Sequence, residues 1–203
     1  ANAGVVCGRR AVPSRFRHPE RQREETHFEA WFREHGYEVE KLEGDLYFEG
    51  AGDLLGFPEA VHGTWFGGYR QRSDIRAYVW LSKLFGREII PVELVDSRFY
   101  HLDTCFCPLS GCELLYYTPA FDSYAQTVIA DRIDEKRRLV VIEPDALRFA
   151  CNAVCVGKHV VLPAGCPQTV AMLEAQGYEP HPLPLDEFMK AGGSAKCLTL
   201  ALD

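Results

Sequence analysis

The sequence predicts an α/β propeller of ββαβ units set around a central axis. Three observations point there. One strand, strand, helix, strand pattern recurs in four copies at a period of about 45 to 55 residues. The runs between helices are short and rich in β-branched residues, which a helix bundle does not need. Hairpins fall between successive helices, where a doubly wound fold would place single parallel strands. Radial repetition brings strand ends of different units to one central site, so residues distant in sequence share chemistry.

In the first unit, VVCGRRAVPSRF (5–16) reads as two short strands about a Gly-Arg turn. HPERQREETHFEAWFREHGY (18–37) then sets Phe28, Trp31 and Phe32 at helical spacing before Gly36, and EVEKL (38–42) closes the unit as a strand. The second unit runs DLYFEGAGDLLGF (45–57) and AVHGTWFGGY (60–69), then a helix over SDIRAYVWLSKLFG (73–86). Ser73 is its expected N-cap and Gly86 its stop, and strand EIIPVEL (88–94) follows. The third has HLDTCFCPL (101–109), CELLYYTPA (112–120), a helix near DSYAQTVIADRI (122–133) and strand RLVVIEP (138–144). The fourth has ALRFACNAVCVG (146–157), KHVVLPA (158–164), a helix opened by Pro167 and strand EPHPLPL (179–185). A final strand is expected around Cys197, in GGSAKCLTLALD.

At 203 residues, 47% hydrophobic and 25% charged, the composition is globular and one domain, 1–203, is expected. A net charge of −7 argues against nucleic acid and anionic membranes, which are held by clustered Lys and Arg, and leaves a small molecule as the partner. No run reaches the ~20 apolar residues of a membrane span and no leader pattern is visible, so a cytoplasmic protein is expected. The opening ANAGVVCG reads as the inside of a strand, so an N-terminal segment is expected to lie outside this chain. Eight cysteines contain no CxxC pair, and Cys105 and Cys107 sit too close for a common zinc knuckle. Reduced, mostly buried thiols and no metal are expected.

Charged residues in strand-like runs are the next signal. Glu49 and Asp53 stand in FEGAGD, where glycines let backbone approach a ligand; the plain alternative is a turn with a capping Asp. His101 and Asp103 flank Leu102, so on an extended strand they point one way as an acid/base and charge-stabilising pair; the alternative is a satisfied histidine on a half-buried strand. Cys197 follows a Gly-Gly pair that permits an unusual backbone path, although free Cys is also a common core residue. Lys196 is expected to point away from it. Arg21 and Arg72 precede the first two helices and read locally as surface arginines able to fork a carboxylate.

Taken in order, ANAG, FEGAGD, FYHLDTCFCPL with LLYYTPAFDSY, and GGSAKCLTL resemble the guanidine-modifying superfamily of arginine deiminases, dimethylargininases and amidinotransferases. The resemblance covers nearly the whole chain and is nearest the arginine dihydrolase branch, which shares FEGAGD, HLDTCFCPLSG, AFDxY and CNAV. It implies a pentein-type α/β propeller of five units, four visible here with the first blade absent. It implies Cys197 as nucleophile, His101 as general acid/base, and Glu49 and Asp103 as guanidinium-binding carboxylates. Arg21 and Arg72 match arginines that grip a substrate carboxylate. Asn2 matches a position that is acidic in the deiminases and asparagine in the dihydrolases. No cofactor is implied; a homo-oligomer and a fused C-terminal domain stay open.

The expected reaction is hydrolysis of arginine through a covalent Cys-amidino intermediate, taken on to ornithine, ammonia and carbon dioxide. Two alternatives share the site: a dimethylargininase and a deiminase, both stopping at citrulline. A third, of another class, is a non-catalytic arginine sensor, which has no use for a thiol nucleophile.

Overall fold

Four three-stranded sheets repeat a single topology in the computed structural model, which describes residues 1–57 and 63–202. In the first, β1 (Gly4–Cys7) pairs antiparallel with β2 (Arg10–Pro13), α1 (Gln22–Glu34) crosses over, and β3 (Glu38–Val39) returns parallel to β2. The second repeats this with β4 (Leu54–Gly56), β5 (Trp65–Tyr69), α2 (Ile75–Phe85) and β6 (Ile89–Glu93). The third uses β7 (Phe106–Pro108), β8 (Leu114–Tyr116), α3 (Ser123–Arg132) and β9 (Arg138–Val140). After a short α4 (Glu143–Ala146), the fourth comprises β10 (Val154–Val156), β11 (His159–Pro163), α5 (Pro167–Ala175) and β12 (Glu179–Leu183), followed by α6 (Asp186–Met189). The expected ββαβ units are therefore present. Residues 60–62 of the strand expected over 60–69 lie outside the described residues.

Helix ends follow local chemistry. Asp122 caps α3 by accepting from Ala125 N at 2.9 Å, Gly86 ends α2 in the left-handed region at φ 63°, and Pro167 opens α5. The cap of α2 differs from expectation. Asp74 holds it, accepting from Arg76 N at 2.9 Å, because the Ser73 hydroxyl is engaged elsewhere.

Two further expectations are corrected. His101 and Asp103 do not share a strand: Leu102–Thr104 is a 3-10 turn, and β7 begins only at Phe106. The turn is closed by the Thr104 hydroxyl donating to His101 O at 2.6 Å and by Leu102 N donating to Asp53 Oδ1 at 3.0 Å. Cys197 likewise lies in a 3-10 turn, Lys196–Leu198, and residues 199–202 form no strand. Leu200 packs beside Val6, Ala11 and Phe32, and the Tyr37 hydroxyl donates to Leu202 O at 3.2 Å, so side chains hold this segment where no ladder does.

Apolar contacts between neighbouring units hold the ring. Phe66 of β5 and Phe106 of β7 meet at 5.0 Å between centroids, within a core that runs on through Phe121 and Leu162. Val5, Phe48, Tyr78 and Leu81 join the first unit to the second. Each such side chain contributes roughly 1.5–3 kcal/mol by leaving water, which stabilises the inter-unit contacts against the burial of charge at the axis. No helix among the described residues is long and apolar enough to cross a membrane.

The first strand of every sheet lines the axis, and the residues just before it fall at one end. Asn2 precedes β1, Glu49 to Asp53 precede β4, His101 to Asp103 precede β7, and Asn152 precedes β10. A cavity of about 1040 Å³ runs along these strands past Val5, Leu54, Phe106 and Val154, with Lys196 and Leu200 on its wall. Gly50 opens the turn that turns Glu49 inward: it sits at φ +61°, and a Cβ there would lie 2.6 Å from Gly4 O and 2.7 Å from Ser14 Oγ. Gly50→Ala is therefore expected to cost more than about 1 kcal/mol of stability in urea unfolding, since both the backbone conformation and the contact oppose it.

Candidate active site

Glu49 is fully buried where β4 is about to begin. Its Oε2 lies 2.7 Å from His101 Nε2 and 3.4 Å from an Arg72 Nη1, and its Oε1 accepts from Arg17 N at 3.2 Å. Burial pushes its carboxyl up, but the His101 hydrogen bond and the charges of His101 and Arg72 outweigh burial and hold it below the usual range. Glu49 is thus an ionised acceptor. Arg72 also stacks over the Tyr100 ring at 4.9 Å.

Asp53, fully buried, accepts from the Ser73 hydroxyl at 2.6 Å and from Leu102 N at 3.0 Å. Burial pushes its carboxyl up to about 6. His101 is only 1% exposed. Burial pushes its pKa down, yet the Asp53, Glu49 and Asp103 carboxylates together leave it raised, which favours imidazolium.

Asp103 and Cys197 meet across the axis. The thiol donates to Asp103 Oδ2 at 3.6 Å. Among the described residues, Asp103 Oδ1 is buried with no hydrogen-bond partner, and burial raises its carboxyl above the ordinary value. Burial, then the Asp103 charge, push the Cys197 thiol up to about 12, against a downward pull from an Asn152 hydrogen bond. Gly193 explains the glycine pair: a Cβ there would lie 2.9 Å from Cys197 Sγ, so only glycine leaves the thiol its place.

Asn2 and Arg21 form a second group. Arg21 donates twice to Glu24, at 2.7 and 2.9 Å, and once to Asn2 Oδ1 at 3.4 Å, with its guanidinium 4.0 Å over the Phe16 ring. Asn2 lies close to the imidazole, since a Cβ on Gly52 would be 3.5 Å from Asn2 Cβ and 3.3 Å from His101 Nδ1. The structure therefore brings Glu49, His101 and Arg72 into one cluster and Asp103 and Cys197 into another beside it. Asn2 and Arg21 adjoin the imidazole side.

Sequence reasoning left three residues unassigned. Asp53 reads from the sequence as a cap or a cavity-lining carboxylate, whereas it props the His101 turn. Tyr100 backs Arg72. Asn152 matters most: fully buried, its Nδ2 donates to Asp103 O at 3.0 Å while its Oδ1 accepts from Ser194 N at 2.8 Å and Cys197 N at 3.2 Å. A single amide thus joins the thiol turn to the Asp103 turn. The repeat held its signal, because Asn152 stands two residues before β10 just as Asn2 stands two before β1.

Fold and site together define an α/β propeller with a thiol, an imidazole and buried carboxylates converging at one end of its axis. No protein-family profile matches the chain. It is 49% identical over 201 residues to the bifunctional arginine dihydrolase/ornithine cyclodeaminase ArgZ of Synechocystis, a match over 98% of this chain and 28% of that protein. The chain thus spans less than a third of that relative. It is 39% identical over 202 residues to the N(G),N(G)-dimethylarginine dimethylaminohydrolase of Mycobacterium tuberculosis, covering all of this chain and 64% of the other. The crystal structure of the N-terminal domain of ArgZ covalently bound to a reaction intermediate superposes with a TM-score of 0.96 at 47% identity, over 100% of this chain and 74% of that one. The chain belongs to the guanidine-modifying superfamily, near its arginine dihydrolase branch.

The thiol's two neighbours act on it with opposite sign. Asp103→Asn removes a negative charge, lowers the thiol pKa and raises the thiolate fraction, so iodoacetamide should modify Cys197 faster at pH 8. Asn152→Ala removes the stabilising hydrogen bond and should slow it. Peptide mapping of the alkylated protein reads both rates, and shifts of the same sign in the two variants would sink the assignment.

Proposed function

We propose that residues 1–203 are the guanidine-hydrolysing catalytic domain of an arginine dihydrolase, converting arginine to ornithine, two ammonia and carbon dioxide. One observation carries the reading. A thiol, held on Asp103 at 3.6 Å, faces a buried carboxylate oxygen with no partner among the described residues, beside an ionised Glu49 paired with His101. A planar cation with several N–H donors fits between these carboxylates.

A guanidinium is a poor electrophile because its charge is spread over three nitrogens. Asp103 and Glu49 would grip it, while Arg21 and Arg72 would turn to the α-carboxylate. Since burial and Asp103 hold the thiol near 12, the incoming cation supplies the positive charge that makes thiolate accessible. Cys197 Sγ then bonds to the central carbon. Imidazolium at His101 donates a proton to the departing nitrogen, which leaves as ammonia rather than an amide anion. Neutral His101 next takes a proton from water as that water attacks the same carbon, and the C–S bond breaks to release citrulline and regenerate the thiol. A second round on the ureido group expels another ammonia and leaves a thiocarbamate. Its hydrolysis gives a carbamate that decomposes to ornithine and carbon dioxide.

The second round needs a site that keeps a neutral ureido group. Asn2 offers both a donor and an acceptor where a carboxylate offers acceptors alone. A fused second domain accords with the bifunctional relatives. A non-catalytic sensor is disfavoured, because a binder has no need of Gly193 and Asn152 to place a thiol.

Mass spectrometry of products from L-arginine, citrulline and dimethylarginine, offered separately, tests the reading. Ornithine with two ammonia per arginine is expected, and Cys197→Ala should abolish it. Dimethylamine release from N(G),N(G)-dimethylarginine with arginine untouched would move the chain to the dimethylargininase reaction. Asn2→Asp should stop turnover at citrulline; undiminished ornithine output would remove Asn2 from that role.

A further inference from the structure

Far from the thiol in the repeat, the outer two strands of the fourth sheet carry three donor groups on one face. β11 and β12 run parallel with His159 opposite Glu179 and Val161 opposite His181. The alternation on β11 sends Val160 and Leu162 into the core and His159 to the other face. On β12, Glu179 and His181 are two residues apart and share that outward face. All three side chains are exposed.

Their donor atoms converge. His159 Nδ1 lies 3.1 Å from His181 Nε2 and 3.1 Å from Glu179 Oε2, and the three ligand atoms lie within 4.8 Å of one another. Two imidazole nitrogens approach head-on, an arrangement that either shares one proton or encloses a cation. Tetrahedral zinc, bonded to nitrogen or carboxylate oxygen at about 2.0–2.1 Å, holds its donors about 3.3 Å apart. The two spacings from His159 Nδ1, each 3.1 Å, are close to that, and the third lies within 4.8 Å, within reach of a side-chain adjustment. Two imidazoles and a carboxylate are also the donor set that borderline divalent ions take, with one position left for water.

We propose that His159, Glu179 and His181 form a divalent transition-metal site, with Zn²⁺ as the fitting ion, which staples β11 to β12 at the outer edge of the fourth unit. The assignment is independent of the guanidine chemistry. Cysteine spacing could not reveal it, because its ligands are nitrogen and oxygen from two strands whose register only the fold supplies. It revises the expectation that the chain binds no metal. Glu179 also pairs with Lys158 through its other oxygen, Oε1, so the ammonium competes for the carboxylate without occupying the converging atom.

Cobalt(II) titration of the whole protein tests this, because its spectrum separates ligand types. One equivalent should bind with visible d–d bands of a low-coordinate nitrogen and oxygen site and no thiolate-to-cobalt charge-transfer band. Zn²⁺ should displace it and raise the thermal midpoint. His159→Gln and His181→Gln, both exposed and so compatible with folding, should each weaken binding on the order of tenfold or more. Lys158→Gln should strengthen it by freeing the carboxylate. A charge-transfer band, affinity unchanged in both histidine variants, or no binding at all would overturn the site and leave an imidazole pair sharing a proton.

Discussion

Everything at the axis depends on burying several ionisable groups together. Glu49, Asp53, His101 and Asp103 are each no more than 1% exposed. An isolated ion taken from water costs several kcal/mol even after relaxation, so each must find partners that the local chain does not provide. The partners come from segments distant in sequence. Arg72 and Ser73, on the connection between β5 and α2, neutralise Glu49 and hydrogen-bond Asp53, while Asp53 in turn holds Leu102 N and so fixes the His101 turn. Removing one member of such a group costs about 3–5 kcal/mol because the others are left buried and unpaired. The polar cluster therefore locks the units in register, and the apolar inter-unit contacts hold them together.

The same burial disfavours thiolate. With Cys197 pushed up to about 12, the thiol is the dominant form at neutral pH. Asp103 accounts for part of that, yet it is also the carboxylate whose second oxygen is free to bind a cation. One residue thus suppresses the nucleophile when the site holds no cation and, on the proposed reading, recruits the charge that releases it. Thiols elsewhere in the chain are raised too: burial, then the neighbouring Cys155, lifts Cys107 to about 12, and burial, then Asp145, lifts Cys166 to about 11.

Periodicity made the four units legible, because β-branched runs and helix caps are local signals. The family resemblance made the reactive groups legible as residue types in a fixed order. What local reading could not supply was the shape of the connections. HLDTCF looks like alternating strand, and it becomes a 3-10 turn because Asp53, from another unit, takes the Leu102 amide. Ser73 looks like a helix cap, but two carboxylate-bearing residues claim its hydroxyl, which accepts from Glu49 N and donates to Asp53. Asn152 looks like a loop residue because all the partners of its side chain are more than 40 positions away. These corrections share one cause: a group distant in sequence outcompetes the local backbone preference.

Propeller geometry also separates neighbours in sequence. Cys197 faces Asp103, whereas Lys196 lines the cavity running along the first strands. The tight turn through these residues assigns them to opposite sides of the axis end. Yet the ammonium is close enough that its charge lowers the Asp103 carboxyl, opposing the burial that raises it. A cation on the cavity side thus helps keep ionised the carboxylate that the thiol leans on, with no hydrogen bond between them. Lys196 thereby links the cavity wall to the site electrically: its charge favours the ionised form of Asp103, and the Asp103 charge in turn pushes the Cys197 thiol up.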